Sequence, residues 1–140
     1  MLPKKLDQIT TDDLNDLITS QIRENKTLEY KREFPKGDPE SVKNFLAGVS
    51  ALANTSGGDF LIGVEAKDGV PIAIPGVLLA NPDQEDLRLE NWLRDGLEPR
   101  LPRCDIRSIP IDDAGNYVII VHVPHSWCQF TPDNVPVIYG

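Results

Sequence analysis

The feature that most constrains the fold is Phe60-Leu61-Ile62-Gly63-Val64, an unbroken apolar run of strand length that follows Asn54-Thr55-Ser56-Gly57-Gly58. A short apolar run bracketed by turn residues reads as a buried strand, and this one is expected to be the central strand of a sheet. The residues before it supply its cover. Asp38 is placed to cap a helix with Pro39 at the first position, and Val42, Phe45, Leu46, Val49, Leu52 and Ala53 then form a long apolar stripe. The pattern predicts a helix from Asp38 to Asn54 packed against the strand over 60–64.

Elements on either side follow the same logic. Thr10-Thr11-Asp12-Asp13 suits a helix start, and Leu14, Leu17, Ile18 and Ile22 recur at helical spacing, which predicts a first helix over 11–23. Residues 27–33 alternate as a half-buried strand, with Leu28 and Tyr30 on one side and Glu29, Lys31 and Glu33 on a charged outer side. Lys67-Asp68-Gly69 reads as a hairpin turn into a short strand around 71–74, where Pro71 favours an edge. Asn81-Pro82 starts another helix with Leu89, Trp92, Leu93 and Leu97 inward, stopped by Pro99 and Pro102. Segments 105–109 and 117–123 flank a turn at 112–116 and are expected to pair antiparallel. The sum is one α/β (α+β) domain over 1–140, a mixed and largely antiparallel sheet flanked by helices. Val135-Pro136-Val137-Ile138-Tyr139-Gly140 looks like the start of a further strand, so the chain is expected to be the N-terminal part of a longer protein.

With 140 residues and 40% hydrophobic content, the chain can bury one core without staples. Its apolar runs fall well short of the roughly 20 residues of a membrane span. The N-terminus lacks the apolar core of a secretion signal, and two cysteines, Cys104 and Cys128, make no disulfide framework. A cytoplasmic protein without membrane association is the expectation. The net charge of -8 is the main constraint on partners, because it repels polyanions. A nucleic-acid role therefore needs a locally basic face, or divalent cations between carboxylates and phosphates.

Three signatures stand in order: Glu24 with Leu28-Glu29-Tyr30-Lys31, then Ala51-Leu52-Ala53-Asn54-Thr55-Ser56-Gly57-Gly58, then Phe60-Leu61-Ile62-Gly63-Val64-Glu65 with Asp68-Gly69. Together with Val121-His122-Val123-Pro124-His125-Ser126-Trp127 further on, they resemble the Schlafen AlbA-like domain. The resemblance implies a nucleic-acid-binding module, for DNA or RNA, in regulation or defence. Some vertebrate relatives cleave structured RNA with three carboxylates, two of them in the segment matching Glu24 and Glu29. The third belongs to an acidic pair after the Gly-Val, which here is Glu65-Ala66, so one acid is lost and Glu65 or Asp68 would have to substitute. The resemblance thus implies catalytic Glu24, Glu29 and Glu65, and Mg²⁺ or Mn²⁺ ligated by Glu24, Glu29 and Asp68. As plain residues, Glu24 and Glu29 read as solvent-facing charges on a turn and a strand.

Lys31, Arg32, Lys36 and Lys43 lie near these carboxylates in the sequence and are the candidate phosphate contacts. Alternating Glu and Lys on a strand face reads equally as cross-strand pairing. A third reading, a protein-interaction module or a homodimer of single lobes, is consistent with the acidic balance. Gly57-Gly58 reads as a helix stop rather than a phosphate cradle, since no Gly-x-x-x-x-Gly-Lys-Ser/Thr pattern supports ATP binding. The spacing of His122, His125 and Cys128, with Cys104, invites zinc, but strand alternation sends the two histidines to opposite faces unless Pro124 turns the chain; zinc is not favoured.

Overall fold

The computed structural model describes residues 2, 4–99, 101 and 104–127. After a 3₁₀ turn at Leu6–Gln8 come α1 (Thr11–Thr19), β1 (Leu28–Lys31), α2 (Pro39–Thr55), β2 (Gly58–Ile62), β3 (Glu65–Lys67), β4 (Val70–Ala73), β5 (Val77–Leu78), α3 (Pro82–Gly96), β6 (Asp105–Pro110) and β7 (Asn116–Val123).

The apolar run Phe60-Leu61-Ile62 within β2 is explained by the strand's position, which also buries Asp59. β2 lies between β1, parallel with Glu29 opposite Phe60, and β7, antiparallel with Phe60 opposite Val121. Beyond β2, the short β5 pairs with the start of β7, and β6 pairs along the other edge of β7 with Ile109 opposite Val118. Both faces of this sheet are covered. Phe60 and Ile62 join Ile119, Val121 and Val123 against α2 and α3, through Phe45, Leu46, Val49, Leu89 and Trp92 among others. Leu61, Val118 and Ile120 face the opposite way, onto Ile9, Leu14, Leu17, Leu28 and Tyr30. A strand buried on both faces has no solvent side to alternate toward. The fold is thus the expected mixed, largely antiparallel sheet between helices, with β3 and β4 forming a separate two-stranded ribbon.

The caps act as their residue types predict. Asp38 accepts from the Ser41 amide at 3.2 Å and Asn81 from the Gln84 amide at 3.2 Å, each followed by proline in the first turn. Thr10 and Asp13 close a reciprocal capping box on α1.

Several boundaries differ from the sequence expectation. α1 ends at Thr19 rather than 23, because Gln21 takes a left-handed φ of 50° and the Tyr30 hydroxyl donates to the Ile22 carbonyl at 2.6 Å, leaving Ile22 40% exposed. β1 covers only Leu28–Lys31, so Glu33 is off the strand: the Lys31 carbonyl accepts from both Gly63 and Val64 where β2 turns away. β2 itself begins at Gly58 and stops before Gly63, whose φ is 105°. β4 is Val70–Ala73, one residue earlier than expected, and β5 had no sequence signal beyond two apolar residues. Pro102 and the strand-like segment 135–140 lie outside the described residues.

One glycine positions everything that follows. Gly48 sits inside α2, where a Cβ would lie 2.7 Å from the Phe60 ring and 2.7 Å from Glu29 Oε2. Phe60 is 1% exposed and packed edge-on against Phe45 with centroids 5.3 Å apart, so it has nowhere to retreat. Gly48→Ala gains about 1 kcal/mol of helix propensity and incurs about 1–3 kcal/mol of overpacking. We expect a net loss, read as a lower denaturant midpoint at unchanged slope; a midpoint at or above that of the wild type contradicts this account of the helix–strand contact.

Candidate functional site

β1 is an outer strand of the sheet, and α2 turns toward it a stripe of short side chains, Ser41, Asn44, Gly48, Ala51 and Thr55, spaced three and four residues apart. Two hollows lie in line along that stripe. One, about 340 Å³, is lined by Glu24, Lys26, Glu29, Ala51 and Thr55 among others. The other, about 180 Å³, is lined by Lys31, Phe34, Lys36, Ser41, Asn44 and Phe60 among others. On α2, Gly48 lies between the Ser41–Asn44 lining of one and the Ala51–Thr55 lining of the other, and the Glu29 carboxylate lies against it. The result is a groove between β1 and α2 with a carboxylate end and a lysine end.

Glu29 is therefore not the solvent-facing charge that strand alternation suggested. It is half-buried beneath α2, with Lys31 Nζ 3.6 Å from its Oε1. Burial pushes its carboxyl pKa up, Lys31 works against that shift, and the negative Glu24 adds to it. Glu24 is also half-buried, and its Oε1 accepts from the Tyr30 amide at 3.1 Å while its own amide donates to the Gly69 carbonyl at 2.7 Å. With the Asn25–Leu28 backbone pair beside it, Glu24 covers the free edge of β1, where an open amide would invite another strand. Tyr30, buried beside Glu24, is pushed up to about 12.

The remaining candidates lie elsewhere. Glu65 Oε2 is 3.7 Å from Arg32 Nε, and Arg32 also reaches Glu33 at 3.8 Å, so Arg32 is turned from the groove toward β3. Asp68 holds a left-handed turn with φ 53°, and its backbone carbonyl accepts from Arg23 at 3.2 Å. Neither Glu65 nor Asp68 lines either hollow, and Ala66 packs toward the α1-side core. Lys43 also lines neither; at 100° per residue it falls on the flank of α2 away from the Ser41–Thr55 stripe. So Glu24, Glu29, Lys31 and Lys36 come together, whereas Glu65, Asp68, Arg32 and Lys43 do not. Among the described residues no three His, Cys, Asp or Glu side chains are grouped so as to hold a metal ion.

Gly57 and Gly58 are buried, and a Cβ on Gly57 would meet the Val123 carbonyl and the His125 amide at 2.7 Å, which leaves a phosphate no entry there. His122 Nδ1 lies 2.8 Å from Asp59 Oδ1, and the other oxygen of the buried Asp59 accepts from the Leu2 amide at 2.7 Å. Cys104 packs against the α2-side core, and Cys128 lies outside the described residues.

Fold and groove together define a mixed α/β domain with a carboxylate-and-lysine groove beside its outer strand. The sequence matches the family Schlafen, AlbA_2 over residues 24–136, and the chain belongs to that family. Among solved structures it is similar to the N-terminal domain of a RecG-related protein from Nitrosomonas europaea, at 18% identity and TM-score 0.53, covering 85% of this chain and 75% of that one. The DIP2311 protein from Corynebacterium diphtheriae is similar at 15% identity and TM-score 0.43, a match covering 84% of this chain and 31% of that one. The first of these likenesses is one of fold. No curated protein matches the chain. None of the described helices is long and apolar enough to cross a membrane.

Sequence reasoning missed Asn44, Gly48 and Phe34 as groove residues. The signal was present for the first two: Ser41, Asn44, Gly48, Ala51 and Thr55 form a second stripe beside the apolar one, and short side chains on a helix flank mark close approach or open space.

The raised Glu29 carboxyl has a defined consequence for stability. The folded chain holds that proton more tightly than the unfolded chain, whose reference value is 4.5. As pH rises through 4.5 toward the folded value, the unfolded chain ionises first and stability is lost. Glu29→Gln removes this cost, so the variant should melt higher than the wild type at pH 7, with the gap closing as pH falls to 4. Thermal melts across that range test it; a variant that melts lower at pH 7 contradicts it.

Proposed function

We propose that the chain is a nucleic-acid-binding module, acting in regulation or defence, that takes DNA or RNA in the groove between β1 and α2. The observation that carries the reading is the placement of Lys31 and Lys36 along a wall of short side chains, in a chain of this family. The Lys31–Glu29 pair is partly exposed and 3.6 Å long, and such pairs contribute about 1 kcal/mol or less, so a phosphate can compete for Lys31. A domain of similar fold in a protein named for a DNA helicase is in keeping with this role. A net charge of -8 means that contact is confined to this local cationic stretch, so binding will be salt-sensitive but will involve few phosphates.

Glu24 and Glu29 in one hollow favour a second reading, a ribonuclease dependent on Mg²⁺ or Mn²⁺. As they stand, the residues do not fit a three-carboxylate centre: Glu24 is held by the Tyr30 amide and Glu65 by Arg32. We assign no catalytic step to them.

Anisotropy and cleavage assays on structured RNA, single-stranded DNA and duplex DNA, with and without Mn²⁺, separate these readings. We expect binding without cleavage, a slope of about 2 in log Kd against log salt from two phosphate contacts, and a slope lower by about 1 in Lys36→Ala. Metal-dependent cleavage that vanishes in Glu29→Ala would establish the ribonuclease instead. Absence of binding at moderate salt would overturn the proposal and leave a protein-interaction or dimerisation role.

A further inference from the structure

The lysine end of the groove has an aromatic floor. Phe34, Phe45 and Phe60 all line it, but Phe45 and Phe60 are 2% and 1% exposed, so Phe34 is the half-buried ring that a ligand can reach. Phe34 is braced. Trp92 lies with its centroid 6.2 Å away at 47°, and the Arg88 guanidinium sits 5.0 Å from the Trp92 ring and 6.0 Å from the Phe34 ring. Neither Trp92 nor Arg88 lines the hollow, so both support Phe34 from outside it. On the hollow's rim stand Lys31 and Lys36, and on its helical wall the exposed Asn44, whose carboxamide offers both a donor and an acceptor. Ser41, the other polar group on that wall, is committed, its hydroxyl donating to Asp38 at 2.6 Å.

We propose that this end of the groove is a pocket for one unpaired nucleobase, stacked on Phe34 with its edge toward Asn44 and its flanking phosphates on Lys31 and Lys36, so that the domain selects single-stranded segments over duplex. The inference rests on the nucleic-acid reading above and names its substrate class. A base within a duplex has both faces stacked and its pairing edge occupied, whereas an unpaired base can enter a concave hollow of about 180 Å³ and present a ring face to the phenyl group. Glu33 also lines the hollow, and its charge keeps the phosphates on the lysine side. Stacking is tolerant of base identity, so the preference is for strandedness, with sequence discrimination limited to what one carboxamide can read.

The test uses single-stranded and duplex oligonucleotides of equal length, some carrying 2-aminopurine, titrated with the wild type, Phe34→Leu and Phe34→Tyr. The wild type should bind single strands about ten-fold or more tighter than duplex and quench the 2-aminopurine signal on binding. Phe34→Leu should lose about ten-fold of single-strand affinity together with the quenching, and Phe34→Tyr, which keeps the ring, should retain both. Equal wild-type affinity for single strands and duplex, or binding without quenching, overturns the pocket while leaving the nucleic-acid reading standing. Binding to neither overturns both. The wild-type and Phe34→Tyr measurements decide the matter even if Phe34→Leu fails to fold.

Discussion

The structure depends on β2 being buried on both faces. Phe60, Leu61 and Ile62 are each at or below 1% exposure, and burying side chains of this size is favourable by about 1.5–3 kcal/mol each. That gain is available only if two separate layers close over one strand. Because β1 and β2 run parallel, the chain must cross over the sheet between them, and α2 is that crossover. The helix that covers Phe60 and Ile62 therefore passes beside the outer strand β1 as well. The groove is set by this crossover, and its walls come from the two elements that the central strand requires.

Gly48 connects the packing to the site. By omitting a side chain where α2 meets β2, it lets the Phe60 ring and the Glu29 carboxylate occupy the same contact. The carboxylate is thereby drawn partly out of water, which raises its pKa, and it is retained next to a lysine and a second glutamate. A half-buried acid that lowers stability at neutral pH is the kind of local conflict expected where a surface serves something other than folding. Glu24 has a structural duty as well, closing the Tyr30 amide on the open sheet edge, so its position in the groove is over-determined.

Much of the fold was legible in the sequence because its signals were local and strong. The apolar run marked β2, the Asp38-Pro39 and Asn81-Pro82 pairs marked two helix starts, and alternation placed Leu28 and Tyr30 on one face of β1. What was not legible depended on tertiary contacts. Ile22 kept helical spacing, yet the Tyr30 hydroxyl holds that residue outside α1. Glu29 had the spacing of an exposed residue, and only the close approach at Gly48 buries it. Of the eight charged site candidates, four meet in the groove; Arg32 is drawn to Glu65 across the strand end, which spacing does not disclose, whereas the place of Lys43 on the far flank of α2 follows from helical spacing once the helix is assigned.

The central claim is that the groove between β1 and α2 is the surface that meets nucleic acid. Backbone amide chemical-shift mapping during titration with an unlabelled single-stranded oligonucleotide tests it most directly. The account predicts fast-exchange shifts concentrated in residues 26–36 and along 41–55, with β6 and the 3₁₀ turn at Leu6–Gln8 unmoved. Shifts centred instead on β6, the 3₁₀ turn or α3, with the groove residues silent, would contradict it.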